Sequence, residues 1–345
     1  MRYVEEPAKG PPVGAAAAVL MEASTGTILY AKNEHRRHAP ASTTKIVTAL
    51  LALENGRLSD AITVSPRAAS ASGSTAGLAA GETYTLEELL YALMLPSGND
   101  AAVAIAEHLA ASSSEFAREM TRRARELGAF DSRFRNPHGL DDPDHYSTAY
   151  DMALFARTAM QYPTFARIVG QRAFTALSRQ RTWRNTNRLL WSFEGATGVK
   201  TGTTGRAGDC LVAAANRDGM TLISVVLGSQ DRWADSARLL EYGFSAFTLV
   251  ELAGAQGPVA ELPVRGSGGQ SVLAVAGGRL AVVVPVWQVK DVRGRLHVQG
   301  LRAPLRAGES LGKLVGYVGS RPFGEVPLLA ARPVPRPWWL WWRWW

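Results

Sequence analysis

Apolar residues at the start of the chain fall into two successive rhythms. "AAAAVLMEASTGTILYAKN" carries two short apolar runs around Ser24-Thr25-Gly26, a turn signal, and predicts a β-hairpin. From Pro40 to Asn55-Gly56 the spacing becomes helical. Ile46, Val47, Ala49, Leu50, Leu51 and Leu53 cover most of the circumference, so the predicted helix is central and buried, with Pro40 as a start signal and Gly56 as a C-cap signal. "TLEELLYALMLPSGNDAAVAIAEHLA" divides into two helices. The first opens with a Thr85–Glu88 capping box and stops near Pro96; Ser97-Gly98-Asn99 forms the loop, and Asp100 is expected to cap the second. Further helical patterns cover about 114–127 and 147–161.

From residue 197 the period shortens to two. "TGVKTGTT", "GDCLVAAANRDG" and "MTLISVVLGS" alternate as strands, with Asn216 to Gly219 as a turn, and "DRWADSARLLEYGFSAF" supplies a last helix. Strands at both ends with helices between them predict one sheet with helices on its faces, an α/β domain over 12–247. Residues 248–330 run in short alternating segments broken by glycine pairs, which predicts a small all-β domain. Residues 331–345 read as a Pro-rich linker and a tryptophan-rich tail.

Composition alters this picture in few places. A chain of 345 residues, 46% hydrophobic and 20% charged, has room for two domains with an ordinary core. The net charge of +8 is spread out, with no basic run longer than a pair and no aromatic interleaving, which argues against nucleic acid as a partner. Cys210, the single cysteine, reads as a small apolar residue in a buried strand and cannot form an intramolecular disulfide. The opening "MRYVEEPAKGPP" carries two glutamates and no apolar run, so no secretory signal is read there. The end differs. Trp338, Trp339, Trp341, Trp342, Trp344 and Trp345 crowd the last eight residues, too few to span a bilayer; tryptophan favours the membrane–water interface, so this tail is expected to rest on a membrane surface with Arg336 and Arg343 towards lipid headgroups.

The chemistry begins with an oddity. Only six lysines stand against 32 arginines, yet Lys45 lies in an apolar helix three residues after Ser42. At that spacing the two side chains share a helix face, and Ser42 lies at the helix N-terminus, where the dipole favours a developing anion. Burial lowers a lysine pKa, whereas a guanidinium stays charged, so lysine is the cation that can become a base. Serine needs such a base to act as a nucleophile. Ser-x-x-Lys alone does not separate this from a capping serine beside a snorkelling lysine. Two further pieces do. Ser97-Gly98-Asn99, 55 residues on, presents a hydroxyl and an amide on an interhelical loop. Lys200-Thr201-Gly202 follows 103 residues later on a strand, where Gly202 marks a close backbone approach, read as room for a substrate peptide added along the strand.

The order of these motifs, with the flanks "PASTTKIVTALLALE", "LMLPSGNDAA", "NPHGLDDPDHYSTAYDMALFAR", "GVKTGTTGRAGDCL" and "RLLEYGFSAF", closely resembles the low-molecular-mass penicillin-binding proteins that are serine-type D-alanyl-D-alanine carboxypeptidases. The likeness covers about residues 12–247, and "PLRAGESLGKLVGYVG" resembles that family's C-terminal domain. It implies an antiparallel sheet with helices on both faces, the penicillin-binding/β-lactamase-like transpeptidase fold, plus the small all-β domain. It implies removal of the terminal D-alanine from peptidoglycan stem pentapeptides: Ser42 as nucleophile, Lys45 as general base, Ser97 and Asn99 relaying protons and holding the substrate amide. Lys200, Thr201 and Gly202, with Arg232 just before the last helix, would take the terminal carboxylate, and the N–H groups of Ser42 and Thr203 would form the oxyanion hole. Relatives often carry a larger residue such as histidine where Thr203 stands; the donor is backbone, so catalysis is expected to survive with altered specificity. β-Lactams are expected as covalent inhibitors, no cofactor or metal is required, and the enzyme is expected outside the cytoplasmic membrane. His138, His145, Asp141, Asp142 and Asp144 could suggest a triad or a metal, but the resemblance makes them structural.

Three rivals remain open at this stage. A class A β-lactamase shares the motifs, but its E-x-x-L-N signature does not occur between Asn99 and Lys200. A muropeptide D,D-endopeptidase uses the same chemistry. A non-catalytic wall-binding protein would have little reason to keep Ser42, Lys45, Ser97, Asn99 and Lys200 together.

Overall fold

The structure, a computed structural model, describes residue 4 and residues 10–176 and 180–337. The tryptophan cluster 338–345 lies outside the described residues. Two compact units divide between Ser245 and Ala246.

In the first unit the chain runs β1 (Ala17–Glu22), β2 (Ile28–Lys32), a 3₁₀ turn (Ala41–Thr44), α1 (Lys45–Asn55), β3 (Ala61–Thr63), α2 (Pro66–Ala69), β4 (Thr83–Thr85), α3 (Leu86–Met94), α4 (Asn99–Leu109), α5 (Ser113–Glu126), α6 (Ala149–Ala159), α7 (Pro163–Gly170), β5 (Ala173–Ala176), β6 (Arg181–Arg184), α8 (Leu189–Ser192), β7 (Ala196–Thr204), β8 (Gly208–Arg217), β9 (Met220–Ser229) and α9 (Arg232–Ala246). The main sheet has the order β2-β1-β9-β8-β7, antiparallel throughout. The β1–β2 and β8–β9 hairpins are those the alternation predicts; Asp218 and Gly219 take the two left-handed positions that a tight hairpin turn demands.

Helices cover both faces. On one, Val19, Met21, Ile223 and Val225 pack into a core with α1 and α6; on the other, α9 sets Gly243 against Leu20 and Leu222. Period-two alternation sends Leu20 and Met21 to opposite layers, which is why the strands read as nearly continuous apolar runs. α1 lies at the centre of the helical layer, against α3, α4, α5, α6 and α7, with Ile46 to Ala52 almost inaccessible.

Gly56 caps α1 as the sequence signals, in extended backbone (φ −111°, ψ 162°). Two local expectations are corrected. Asp100 is not the cap of α4. Gly98 occupies that position, and the Asp100 carboxylate instead accepts from the Ala76 and Leu78 N–H groups at 2.9 and 3.0 Å, tying down the 72–78 loop. Arg232 is the first residue of α9 and does not precede it. The Thr85–Glu88 capping box forms with both of its bonds.

The second unit is all β. It comprises β10 (Phe247–Ala253), β11 (Pro258–Pro263), β12 (Ser271–Ala276), β13 (Leu280–Pro285), a 3₁₀ segment (Val286–Asp291), β14 (Val292–Val298), β15 (Ser310–Val318) and β16 (Arg321–Ala330). The sheet β11-β12-β16-β15-β14 and the pair β10-β13 enclose Val272, Ala274, Leu311, Leu314 and Leu328.

Candidate active site

Ser42 sits one turn earlier than expected. It belongs to the 3₁₀ turn, and Lys45 opens α1. Ala41 begins that turn at φ +49°, a strained value for a side-chain-bearing residue, held by what packs around it. The Ala41 carbonyl abuts Gly139, itself at φ +90°, so a side chain at 139 would drive into the turn. Gly139→Ala is therefore expected to cost more than about 2 kcal/mol, from backbone strain plus the steric clash. Thermal unfolding checks it, and an unchanged midpoint would contradict this packing.

The opposite wall is β7. A Cβ at Gly202 would stand 2.9 Å from the Ser42 nitrogen and 3.0 Å from that of Thr43. The close approach foreseen at Gly202 exists, but the backbone that fills it is the serine turn. The strand's outer edge is a separate feature: among the described residues β7 ends the main sheet and pairs only with β8.

Lys45 is wholly buried. Its Nζ lies 3.0 Å from Ser42 Oγ, 2.6 Å from Asn99 Oδ1 and 3.0 Å from the His138 carbonyl. The Asn99 amide is fixed in orientation, since its Nδ2 donates to the Ser72 carbonyl at 2.6 Å. Burial, and secondarily the nearby Lys200 charge, hold the Lys45 pKa well below the ordinary lysine value. A neutral amine has two N–H donors and one lone pair. Asn99 Oδ1 and the His138 carbonyl can only accept, so both donors are used there and the lone pair is left for the Ser42 hydroxyl. This arrangement can deprotonate serine.

Ser97 lies at the junction of α3 and α4 with φ +69°; its hydroxyl is buried and has no hydrogen-bond partner among the described residues. Lys200, on β7, is buried with its Nζ 3.2 Å from the Thr201 carbonyl; burial, then the Arg232 charge, bring its pKa down to about 7. Thr201 shares a 2.7 Å hydroxyl contact with Thr186. Arg232 donates through Nη1 to the Gly202 carbonyl at 2.7 Å and to Thr203 Oγ1 at 2.8 Å, and pairs with Asp209 at 3.2 Å.

A cleft of roughly 470 Å³ joins these groups. Ser42, Ser97, Thr201, Gly202, Thr203 and Arg232 line it, and Lys45, Asn99 and Lys200 are buried behind it. The fold thus gathers all nine residues singled out from the sequence. It also adds Ser74, Asn185, Thr186, Arg188 and Trp233 to the walls. No motif spacing marks these; Ser74 arrives through the 72–78 loop, Asn185, Thr186 and Arg188 through the 185–188 loop, and Trp233 on the first turn of α9. Among the described residues lining the cleft none is acidic.

The discounted residues have structural partners. His145 Nδ1 accepts from the Arg135 N–H at 3.1 Å, leaving Nε2 to donate to Thr44 Oγ1 at 2.9 Å; burial lowers its pKa to about 4. The His138 ring, lowered by burial to about 3, is neutral, while its carbonyl holds Lys45. Asp141 accepts from Thr204 Oγ1 at 2.6 Å and from the Arg206 N–H at 3.1 Å, docking the 136–145 loop on the β7–β8 turn. Cys210 is buried, its thiol pushed up to about 11.

Comparison with known proteins identifies the family. Residues 4–231 match the family model described as D-alanyl-D-alanine carboxypeptidase, and residues 247–336 the one described as penicillin-binding protein 5, C-terminal domain. D-alanyl-D-alanine carboxypeptidase DacF of Bacillus subtilis is 36% identical over 331 residues, covering 92% of this chain and 85% of its own. DacC of Escherichia coli, also named a D-alanyl-D-alanine carboxypeptidase, is 32% identical, covering 94% and 85%. Among solved structures, penicillin binding protein 5 of Haemophilus influenzae superimposes with a TM-score of 0.77 at 31% identity, covering 95% of this chain and 99% of its own. The DD-transpeptidase of Streptomyces K15 gives 0.65 at 36% identity, covering 69% and 99%.

Proposed function

The chain belongs to the D-alanyl-D-alanine carboxypeptidase family of serine-type hydrolases, and from that premise we propose that Ser42 is its nucleophile and Lys45 the base that activates it. The observation that carries this reading is the 3.0 Å Lys45–Ser42 contact, with both other Lys45 partners restricted to accepting. Ser42 Oγ attacks the carbonyl carbon of the penultimate D-alanine, and its proton passes to Lys45 Nζ. The N–H groups of Ser42 and Thr203 receive the oxyanion. On collapse the C–N bond breaks, and Ser97 passes the proton from Lys45 to the departing amine; its unpartnered, buried hydroxyl suits that transfer. Asn99 orients Lys45 and the substrate amide. Lys200, Thr201 and Arg232 hold the terminal carboxylate, and Gly202 lets the serine turn close on the strand. Water then hydrolyses the acyl-enzyme.

The substrate is the peptidoglycan stem pentapeptide, and β-lactams acylate Ser42. With no carboxylate lining the described cleft to activate water towards a penicilloyl ester, that adduct persists and penicillin inhibits. The residues to which catalysis is assigned here, Ser42 to Arg232, all belong to the first unit. Such a substrate places the enzyme outside the cytoplasmic membrane. Among the described residues no helix is long and apolar enough to cross a membrane.

The test is free D-alanine from a peptide ending in Lys-D-Ala-D-Ala, measured for the wild type beside Ser42→Ala. Release by the wild type only is the expected result. Equal release by both, or none from folded wild type, would sink this reading; cleavage of cross-linked dimers without D-alanine release would make the enzyme an endopeptidase.

A further inference from the structure

Apart from Phe130 and Trp191, every large hydrophobic side chain strongly exposed among the described residues falls within 286–298 of the second unit. Val286, Trp287 and Val289 belong to the 3₁₀ segment Val286–Asp291, and Leu296 and Val298 to the next element, β14. Trp287 is 64% exposed. A patch of this kind marks an interaction surface more often than an accident of folding.

Its polar content narrows the partner. Interleaved with the apolar positions are Lys290, Arg293 and Arg295, all exposed, and only Asp291 is acidic in the segment. None of the three cations pairs with a carboxylate among the described residues, whereas Arg279 and Lys313 of the same unit do, at 2.7 and 2.8 Å. Arg295 instead stacks over the Tyr317 ring at 5.1 Å. β14 is the outermost strand of its sheet, and its alternation sends Arg293 and Arg295 to one face and Leu296 and Val298 to the other. β14 is therefore an amphipathic edge, Leu296 and Val298 on one face and Arg293 and Arg295 on the other, and the adjoining 3₁₀ segment adds the exposed Trp287 and Lys290. Protein partners favour aromatic and arginine anchors with a polar rim. A lipid interface asks for apolar groups of shallow depth, an interfacial tryptophan and free cations for anionic headgroups.

We propose that the 3₁₀ segment Val286–Asp291 with β14 forms a binding surface for anionic lipid bilayers, with Val286, Trp287, Val289, Leu296 and Val298 entering the headgroup–acyl boundary and Lys290, Arg293 and Arg295 contacting phosphate. The residues of this surface are all in the second unit, and none of them is among those lining the cleft or in the sequence beyond residue 337. It anchors the β-rich unit flat on the membrane by two weak signals, apolar and electrostatic, of the sort that bind reversibly when single and firmly when combined.

The experiment is co-sedimentation of the full chain with vesicles of phosphatidylcholine and phosphatidylglycerol at 7:3, and with phosphatidylcholine alone, at physiological salt. Wild type should partition onto the anionic vesicles. Trp287→Ser with Val289→Ser should lower that partition at least tenfold. Lys290→Gln with Arg293→Gln should lower it roughly 25-fold, from about fivefold per cation, and leave binding to neutral vesicles unchanged. The tail is intact in every variant, so its contribution is constant. D-alanine release from a soluble peptide serves as the fold control and should be the same in all. Variants that bind as wild type does, or a wild type that ignores anionic vesicles, would overturn the proposal. So would capture by soluble polyphosphate that matches the vesicles and does not depend on Trp287, or a lipid-free dimer abolished by Leu296→Ser; these would reassign the surface to a soluble polyanion or to a second copy.

Discussion

Lys45→Arg is expected to lower kcat/KM for D-alanine release by at least about 10⁴, as large a loss as Ser42→Ala, because members of one proton-transfer unit fail together. The substitution keeps the positive charge and roughly the length of the side chain. It removes one property, the ability to give up a proton near neutral pH, since guanidinium stays charged in proteins. It also replaces a group whose lone pair meets Ser42 Oγ by one that can only donate to it. The same logic fixes the pH profile of the wild type. Burial depresses the Lys45 pKa, so the active neutral form fills as pH rises through that lowered value, and kcat/KM climbs on the acid side. Lys45→Arg should be flat and near background across that limb. The check is D-alanine release and penicillin acylation across pH for both proteins. A variant within tenfold of wild type would make Lys45 a charge, not a base.

Lys200→Met is expected to separate activity from stability in opposite directions. Lys200 is buried with a pKa of about 7 against an ordinary 10.5, and among the described residues its ammonium makes a single hydrogen bond, of 3.2 Å to the Thr201 carbonyl. Removing it therefore strands almost nothing, unlike Lys45, whose loss would orphan Asn99 Oδ1 and the His138 carbonyl. Replacing a buried charge by a hydrophobic side chain of similar volume stabilises by about 1–4 kcal/mol. The pH dependence follows from the lowered folded-state pKa. Between about 7 and 10.5 the unfolded chain binds more protons at this site than the folded one, so wild-type stability rises with pH through that window. At or below pH 6 both states are protonated and the cost of the buried charge is fully present. The gain of Lys200→Met should thus be largest near pH 6 and shrink towards pH 10. Turnover of a peptide ending in a carboxylate should fall about 10²–10³-fold through loss of a charge-assisted contact. Denaturant midpoints at pH 6 and 9, with steady-state kinetics, measure both. A variant less stable than wild type at pH 6, or one with unchanged kcat/KM, would contradict the place given to Lys200. An active site that stores an unfavourable charge in this way trades stability for chemistry.

Parts of the fold were legible for identifiable reasons. The β1–β2 and β8–β9 hairpins announced themselves by apolar alternation around turn residues, and α3 by a capping box, because these signals depend on neighbours within a few positions. α1 was legible as a buried helix because nearly its whole circumference is apolar. Short pieces escaped: α7, the β5–β6 hairpin and the 185–188 loop have too few residues for a period to emerge, and their conformation is imposed by what they pack against. Asp100 illustrates a misreading with a physical cause. An aspartate before a helix is a good local cap, but the loop that follows Ser72 offers it N–H donors from residues more than twenty positions away.

Sequence by itself singled out the groups proposed to carry the chemistry and the reason for a lysine at position 45: scarcity of that residue, its apolar surroundings and the serine three positions earlier are all local facts, and the motif order carried the family. Only the tertiary structure decided how Lys45 is used. Its pKa depends on burial and on Lys200, 155 positions further along, and its lone pair is aimed at Ser42 because Asn99 and the His138 carbonyl occupy its donors. Tertiary structure likewise decided that Gly202 makes room for the serine turn, and that the apolar positions of 286–298, which on paper resemble those of any buried strand, face outward. Local patterns report what a residue can do; desolvation and the placing of a hydrogen-bond donor are set by chain segments that no short window contains.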